Sequence, residues 1–177
     1  MTESDNSPRI VVDTSVYRSA HNDDTRENAT SCRAFLTVIA NERILVVLTP
    51  DIENEWRSHD NEYNTNWRTQ MIDGRLFCQI QDCRQSALRE QMRRHFTDKD
   101  AHLFEAALAT DREITSTDDR ARRGAASASP RIEELGAIVW VNPANDDERP
   151  ILWLQRRCPN DTERTLSHFR QHRLRSR

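Results

Sequence analysis

Glycine is scarce in this sequence, with only three among 177 residues. The loops that wrap nucleotide phosphates in P-loop and dinucleotide-binding proteins place several glycines within a few residues of one another. Gly74, Gly124 and Gly136 are too far apart to form such a loop. The sequence therefore disfavours a nucleotide-binding protein of either type.

Long apolar runs are missing as well. The longest extends only over Ile44–Leu48, whereas a helix that spans a bilayer needs roughly 20 apolar residues. The segment Met1–Pro8 is polar and acidic, unlike a secretory signal peptide. We therefore predict that the protein has no membrane partner and that it is located in the cytoplasm.

Cysteine occurs without a metal-binding pattern. None of the four cysteines forms a CxxC pair, and Cys78 and Cys83 are five positions apart. This spacing disfavours structural zinc. Because disulfides are rare in cytosolic proteins, we expect reduced thiols that are mostly packed in the interior.

Lysine is almost absent, since Lys99 is the sole lysine among 26 basic residues. Phospho-acceptor signalling domains require a lysine near the phosphate, and Lys99 lies on a segment that does not suit this role. The net charge of −3 is unevenly distributed: residues 149–177 carry +6 and the remainder −9. Arginine forms bidentate contacts with phosphates, so Arg18, Arg120, Arg122, Arg123 and the tail are candidates for binding nucleic acid.

Short apolar runs alternate with helical patterns along the chain. Four runs predict buried strands, namely Arg9–Val12, Ile44–Leu48, Glu113–Ser116 and Ala137–Val141, and a fifth, Leu76–Ile80, is ambiguous. Strands that alternate with helices indicate an α/β fold with a mostly parallel sheet, covered by helices on both faces.

The helical segments are marked by apolar spacing and by capping residues. Thr49 and Pro50 favour a helix start, and this helix is predicted to run to about Arg68. Trp56 and Trp67, which both lie on it, could stack on bases but are better explained as packing residues. Further helices are predicted over Arg26–Asn41, Cys83–Phe96, Ala101–Thr110, Arg131–Leu135, Ile151–Leu154 and Thr162–Phe169.

Four acidic residues occupy positions where the fold would bring them together. Asp13 ends the first predicted strand, and Asp118 comes just after the third. Glu55 lies on the helix after the second strand, and Asp100 starts the helix before the third. Because the carboxyl ends of parallel strands border the ligand crevice, these carboxylates could converge there.

Carboxylates that are packed together repel one another, and the repulsion raises their pKa values. A bound divalent cation removes this penalty, and oxygen ligands favour Mg²⁺ or Mn²⁺. Such an ion can activate water and neutralise the charge on a phosphate. Asp13 is the most informative of the four, because an acid that closes a buried strand is costly without a partner.

The same segments resemble the PIN-domain nucleases between Arg9 and Pro143. The matching blocks are IVVDTSV (Ile10–Val16), LTPDIENE (Leu48–Glu55), DKDAHLFEAAL (Asp98–Leu108), ITSTDD (Ile114–Asp119) and WVNP (Trp140–Pro143). Each block is short, and their order and spacing together carry the resemblance.

The resemblance implies a Rossmann-like α/β/α sandwich with a parallel sheet and a Mg²⁺- or Mn²⁺-dependent ribonuclease that hydrolyses RNA phosphodiester bonds. It also implies two possible partners, a small antitoxin protein and a second copy of the chain. The implied ligands of the ions are Asp13, Glu55, Asp100 and Asp118. Asp98 and Asp119 could supplement Asp100 and Asp118, although both are also explained as charges at helix N-termini. Three small polar residues could orient ligands or water, namely Thr14, Ser15 and Ser116.

The chain also departs from the compact toxins of that family. The stretch Arg57–Phe96 is longer, and the arginine-rich tail lies outside the resemblance. We therefore divide the chain into a PIN-like domain, residues 1–143, and a helical extension, residues 144–177.

Other functions are open to a chain of this kind. One is a catalytically inactive PIN-fold module that binds RNA or protein, and the presence of all four acids argues against it. Another is an aspartyl-nucleophile phosphatase, which usually has a second aspartate two positions after the first, where this chain has Ser15.

Overall fold

The computed structural model describes the backbone over residues 7–21 and 28–175 and the side chains over 7–21 and 28–172. Within those ranges five strands occur: β1 (Arg9–Val12), β2 (Leu45–Leu48), β3 (Phe77–Gln79), β4 (Glu113–Thr115) and β5 (Val139–Val141). The α-helices are α1 (Thr14–Ser19), α2 (Ala29–Asn41), α3 (Pro50–Arg57), α4 (Glu62–Asp73), α5 (Ser86–His95), α6 (Ala101–Leu108), α7 (Asp119–Ala128), α8 (Glu133–Gly136), α9 (Pro150–Gln155) and α10 (Leu166–Arg175).

The strands form one sheet in the order β3-β2-β1-β4-β5, and all four pairings are parallel. In the register, Val11 of β1 lies between Val47 of β2 and Ile114 of β4. All three of these side chains are buried, because a parallel sheet covered on both faces has an apolar residue at almost every position. The predicted α/β fold with a mostly parallel sheet is therefore confirmed.

The helices contact one another in two groups, with α1, α2, α3, α4 and α9 in the first and α5, α6, α7, α8 and α10 in the second, and α3 also contacts α6. Crossovers between parallel strands are right-handed, so reversing the direction of travel across the sheet places the connecting helices on the opposite face. The chain reverses direction after β3 and returns to pair β4 with β1. The two groups of helices therefore cover opposite faces, as in a Rossmann-like sandwich.

The four predicted strands are present within one to two residues of their expected bounds. The ambiguous segment Leu76–Ile80 contains a fifth strand, β3, at the edge of the sheet. Its side chains are only half-buried or exposed, which explains the weak apolar signal of this segment.

One predicted helix is wrong in its extent. The segment from Pro50 to Arg68 is not continuous, because α3 ends at Arg57 and α4 begins at Glu62. The side chain of Asn61 caps the second helix by accepting a hydrogen bond from the Asn64 amide at 3.1 Å, and such a cap favours a new helix start. The break also reorients the chain between the two tryptophans.

Both tryptophans lie in the core rather than on a nucleic-acid surface. The rings of Tyr17 and Trp56 stack with centroids 4.7 Å apart, and Trp67 packs edge-on against both rings. The Trp67 Nε1 donates a 2.7 Å hydrogen bond to the Leu36 carbonyl. This cluster fixes α1 against α3 and α4, and thereby positions Asp13 relative to Glu55.

The segment after residue 143 packs against the rest of the chain. Trp153, Leu154 and Leu166 are buried, and α10 contacts α7 and α8. The guanidinium of Arg122 lies 4.2 Å from the centroid of the Phe169 ring. The predicted helices Ile151–Leu154 and Thr162–Phe169 correspond to α9 and α10, although α10 begins at Leu166 and extends to Arg175.

In the part of the chain that the structure describes, no helix is both long and apolar enough to cross a membrane.

Candidate functional site

The point where the strand order reverses lies between β1 and β4, and the predicted acids follow these two strands. Val12 pairs with Thr115, and the Asp13 amide donates a 2.9 Å hydrogen bond to the Thr115 carbonyl. Asp13 therefore continues the β1–β4 pairing by one residue and lies beside Ser116. In open α/β sheets this is the place where ligands bind.

Asp13 is nearly buried and is held by two serine hydroxyls. Its Oδ2 accepts hydrogen bonds from Ser15 Oγ at 2.5 Å and Ser116 Oγ at 2.6 Å, and the residue is 8% exposed. The same two hydroxyls accept hydrogen bonds from the amides of Thr117 and Asp118, both at 3.0 Å. Each serine therefore uses its hydroxyl as both donor and acceptor.

Glu55 is brought to the site by α3, which starts with the predicted capping residue. Thr49 Oγ1 accepts a 3.3 Å hydrogen bond from the Ile52 amide. Glu55 Oε2 accepts a 2.8 Å hydrogen bond from Thr14 Oγ1 and lies 3.3 Å from His102 Nε2. The contact with His102, together with Thr14, holds the pKa of Glu55 below its ordinary value in spite of partial burial.

Asp118 and Asp100 both precede helices but have different surroundings. Asp118 Oδ1 caps α7 by accepting hydrogen bonds from the Arg120 and Ala121 amides, both at 2.9 Å. The Asp100 side chain makes no capping hydrogen bond. Burial, followed by the charges of Asp13 and Asp118, raises the pKa of Asp100 above its ordinary value.

The four acids line one cavity of about 280 Å³. Thr14 and Ser15, two of the predicted polar residues, also line it, and Ser116 lies behind Asp13 in the protein interior. The convergence of Asp13, Glu55, Asp100 and Asp118, inferred from their positions after strands and before helices, is therefore present in the structure.

Three of the four acids share a pattern of hydrogen bonding. One oxygen of each is held by the protein: Oδ2 of Asp13, Oε2 of Glu55 and Oδ1 of Asp118. The other oxygen of each makes no hydrogen bond within the described residues. An arrangement of this kind orients the carboxylate and leaves one oxygen available to a ligand.

The donor set suits a hard divalent cation in its chemistry, because it consists of carboxylate oxygens. Burial is the main cause of the raised pKa of Asp100, and the neighbouring carboxylates of Asp13 and Asp118 add to it, as expected where acids cluster. Among the described residues, however, no three His, Cys, Asp or Glu side chains are arranged closely enough to hold an ion together. Binding through three of these acids would therefore require side-chain movement.

Two predicted supplementary ligands do not line the cavity. Asp98 forms an ion pair with Arg93 at 2.7 Å, and this pairing lowers its pKa. Asp119 is exposed, and its Oδ1 lies 3.5 Å from Asn142 Nδ2. The structure therefore places both outside the set of four.

One of the predicted phosphate-binding arginines is also placed elsewhere. Arg122 is buried, pairs with Glu148 and donates to the Trp140 carbonyl at 3.3 Å. It is therefore a packing residue, and the prediction that it contacts nucleic acid is wrong. Arg18, Arg120 and Arg123 are exposed.

His102 is the main residue that the sequence did not indicate. It is 7% exposed and contacts Glu55. Burial acts to lower its pKa, but the neighbouring Glu55 outweighs burial, so the pKa lies above the ordinary value. The Nε2–H group does not point at the Glu55 carboxylate, so Nε2 makes no hydrogen bond. The contact between the two side chains is therefore an ion pair. A lone histidine two positions after Asp100 has no ligand spacing that could have revealed this role.

Comparison of the chain with protein-family models, with curated proteins and with solved structures gives no match. The resemblance to PIN-domain nucleases therefore depends on the motif blocks of the sequence.

Proposed function

We propose that the protein is a PIN-like, divalent-metal-dependent endoribonuclease that hydrolyses RNA phosphodiester bonds. The observation that carries this proposal is the cavity at the carboxyl ends of β1 and β4, which is lined by Asp13, Glu55, Asp100 and Asp118. Four acids that converge in one cavity repel one another, which costs stability. A function that requires their negative charge, such as binding a cation, explains why they are there.

Magnesium or manganese, when bound by these acids, would supply an activated water and neutralise charge on the phosphate. The residues of the chain prepare the site for this chemistry. Asp13 and Asp118 each have one oxygen without a hydrogen bond among the described residues. Thr14 and His102 contact Oε2 of Glu55, which leaves its Oε1 for an ion. Burial, together with the charges of Asp13 and Asp118, disfavours the charged form of Asp100, and a nearby cation would offset this penalty.

The serines in the site act by positioning rather than by nucleophilic attack. Ser15 and Ser116 both donate to Asp13 and accept from backbone amides. A nucleophilic serine requires a base that accepts its proton during attack, and the carboxylate of Asp13 would be a weak base once it binds a divalent cation. This supports hydrolysis by water without a covalent intermediate.

The nuclease proposal is tested with a labelled, mixed pool of RNAs and the purified protein. Cleavage is measured with Mn²⁺, with Mg²⁺ and with EDTA, for the native protein and for Asp13→Asn. We expect cleavage that requires the metal and that Asp13→Asn lacks while its circular dichroism spectrum stays native. Cleavage in EDTA, or retained activity in the variant, would contradict the proposal.

One observation favours a second candidate function, an inactive PIN-fold module that binds RNA or protein. No three of the four acids are close enough to one another to hold an ion together. A calorimetric titration with Mn²⁺ separates the two functions, because a binding module with these spacings would take up no ion whereas the nuclease would. A small antitoxin protein and a homodimer are proposed as partners on the resemblance alone.

A further inference from the structure

Two cations line the same cavity as the four acids. Arg18 projects from the last turn of α1, and Lys99 immediately precedes Asp100. Both side chains are exposed. Neither forms an ion pair or a side-chain hydrogen bond with any residue in the described part of the chain, although four carboxylates line the cavity beside them.

Nine of the 21 arginines whose side chains the structure describes form ion pairs with acids, whereas Arg18 forms none although acids line the same cavity. The paired arginines are Arg9, Arg57, Arg68, Arg84, Arg89, Arg93, Arg94, Arg122 and Arg164. A cation that leaves nearby carboxylates unpaired keeps its hydrogen-bond donors for another anion.

The electrostatic influence of Lys99 shows that it is close to the acids without being bound by them. Its charge acts to lower the pKa values of both Glu55 and Asp100. A cavity with four acids repels a polyanion, and cations at its border offset that repulsion. Phosphate groups attract arginine and lysine through charge-assisted hydrogen bonds.

We propose that Arg18 and Lys99 contact phosphates of a single-stranded RNA next to the bond that is cleaved. This inference rests on the proposed nuclease function and adds the residues that hold the substrate. The two cations come from different elements, α1 and the turn before α6, so a strand that touches both must cross the cavity between them. In a flexible single strand, one phosphate can enter the cavity between the acids while the adjacent phosphates contact Arg18 and Lys99.

The test measures the binding of a short, unstructured, labelled RNA by fluorescence anisotropy over a range of KCl concentrations. Calcium replaces magnesium, so that the acids can be neutralised while cleavage is followed separately with Mn²⁺. The variants are Arg18→Gln, Lys99→Gln and a matched control, Arg75→Gln. Arg75 is exposed and unpaired among the described residues, and it precedes β3 at the opposite end of the strands.

We expect Arg18→Gln and Lys99→Gln each to weaken RNA binding about fivefold at low salt and to reduce the slope of log K against log[KCl] by about 0.7. Arg75→Gln should change neither quantity. Lys99→Gln should also strengthen Mn²⁺ binding in the absence of RNA, because the removed charge repels the ion.

The outcomes separate this inference from the nuclease proposal. If the native protein cleaves RNA but Arg18→Gln and Lys99→Gln keep the native salt slope, the phosphate contacts are wrong and the nuclease stands. If the variants differ from Arg75→Gln in the expected way but no metal supports cleavage, the two residues do contact RNA phosphates, but the nuclease fails and with it the placement of these contacts beside a cleaved bond. If the native protein binds no RNA, or binds single-stranded DNA equally well and cleaves it, the proposed substrate is overturned.

Discussion

Both ends of the parallel sheet carry acidic residues, but the surroundings of these residues differ: they neutralise the negative charge at one end and leave it in place at the other. At the carboxyl end, Asp13 lines a cavity, and one of its oxygens makes no hydrogen bond to any residue that the structure describes. At the amino end, Asp111 is engaged on both oxygens by Arg9, which donates through its backbone amide at 2.8 Å and through its guanidinium. Glu113 at the same end is buried, and burial, with a smaller contribution from Asp111, raises its pKa to about 8.

This difference shows why the size of a cavity is a poor guide to function. The amino end borders the larger cavity, about 690 Å³, lined by Arg9, Asp111 and Glu113. Its acids are already neutralised, either by an arginine or by a proton. At the smaller cavity of the carboxyl end, the acids have partners that orient them without neutralising them, apart from the contact of Glu55 with His102. Unneutralised charge, rather than volume, marks the candidate site.

The largest expected effect is on RNA cleavage, and it appears when the removal of one charge at the carboxyl end of the sheet is compared with the removal of one charge at the amino end. Asp13→Asn should reduce RNA cleavage by about 1,000-fold or more, because the metal loses a charged ligand. Asp111→Asn should leave cleavage within about twofold and cost about 1 kcal/mol of stability through its weakened bond with Arg9. Cleavage rates and urea denaturation of both variants check this contrast, and equal losses of activity would break it.

The next effect concerns the pH dependence of folding. Glu113 stays protonated in the folded protein up to about pH 8, whereas it ionises near its ordinary value of 4.5 in the unfolded chain. Ionisation therefore stabilises the unfolded state as the pH rises from 4.5 to 8, and stability falls over this interval. Glu113→Gln removes the penalty and should raise the free energy of unfolding at pH 8 by up to about 5 kcal/mol.

Urea denaturation of the native protein and Glu113→Gln at pH 4 and at pH 8 measures this effect. The two proteins should have similar stability at pH 4, where the glutamate is neutral in both states. A difference of the same size at both pH values would show that the change is one of packing rather than of charge. Activity should not change, since the residue lies at the other end of the sheet.

A smaller effect is expected from the partner of Glu55. His102→Ala should lower kcat about tenfold with little change in KM for RNA, because it frees Glu55 without removing a substrate contact. His102→Gln, whose amide can donate a hydrogen bond to Glu55 in place of the ion pair, should recover part of the loss. Weaker Mn²⁺ binding in His102→Ala would distinguish the loss of a positioning contact from a general loss of packing. An equal loss of kcat in His102→Ala and His102→Gln would contradict the role of His102 in positioning Glu55.

The smallest expected effect is that of Thr14→Ala, which removes the second contact on the same oxygen of Glu55. We expect about a threefold loss of activity, since His102 still holds the carboxylate. The matched control is Thr49→Ala, which weakens the cap of α3 and should cost about 1 kcal/mol of stability with less effect on Mn²⁺ affinity. If Thr49→Ala impairs Mn²⁺ binding more than Thr14→Ala does, direct anchoring of Glu55 is wrong.

Much of the framework could be predicted from the sequence because its signals are local. Buried strands such as Arg9–Val12 are continuous apolar runs, and a strand end followed by an acid predicts a residue at the crevice. The position of Glu55 followed from the Thr49–Pro50 start of its helix. These features depend on a few neighbouring residues and are visible in the chain itself.

The features that were missed depend on contacts between distant segments. Nothing in the sequence near His102 shows that a glutamate 47 positions earlier lies beside it. The burial of Arg122 was missed for the same reason, since an arginine on a helix is usually exposed. The break between α3 and α4 depends on the capping of α4 by Asn61, which competes with a helical pattern that continues through it.

The placement of Arg122 also bears on how the protein is made. All five strands have been synthesised once Val141 has been added, and α7 with its arginine belongs to this first part. The carboxylate of Glu148 and the ring of Phe169, which contact the guanidinium, emerge from the ribosome later. In a nascent chain that folds as it appears, the helical layer around Arg122 can therefore close only after the last strand has been made. An unfinished chain would present an open face around α7, where chaperones and proteases that recognise incomplete proteins could act.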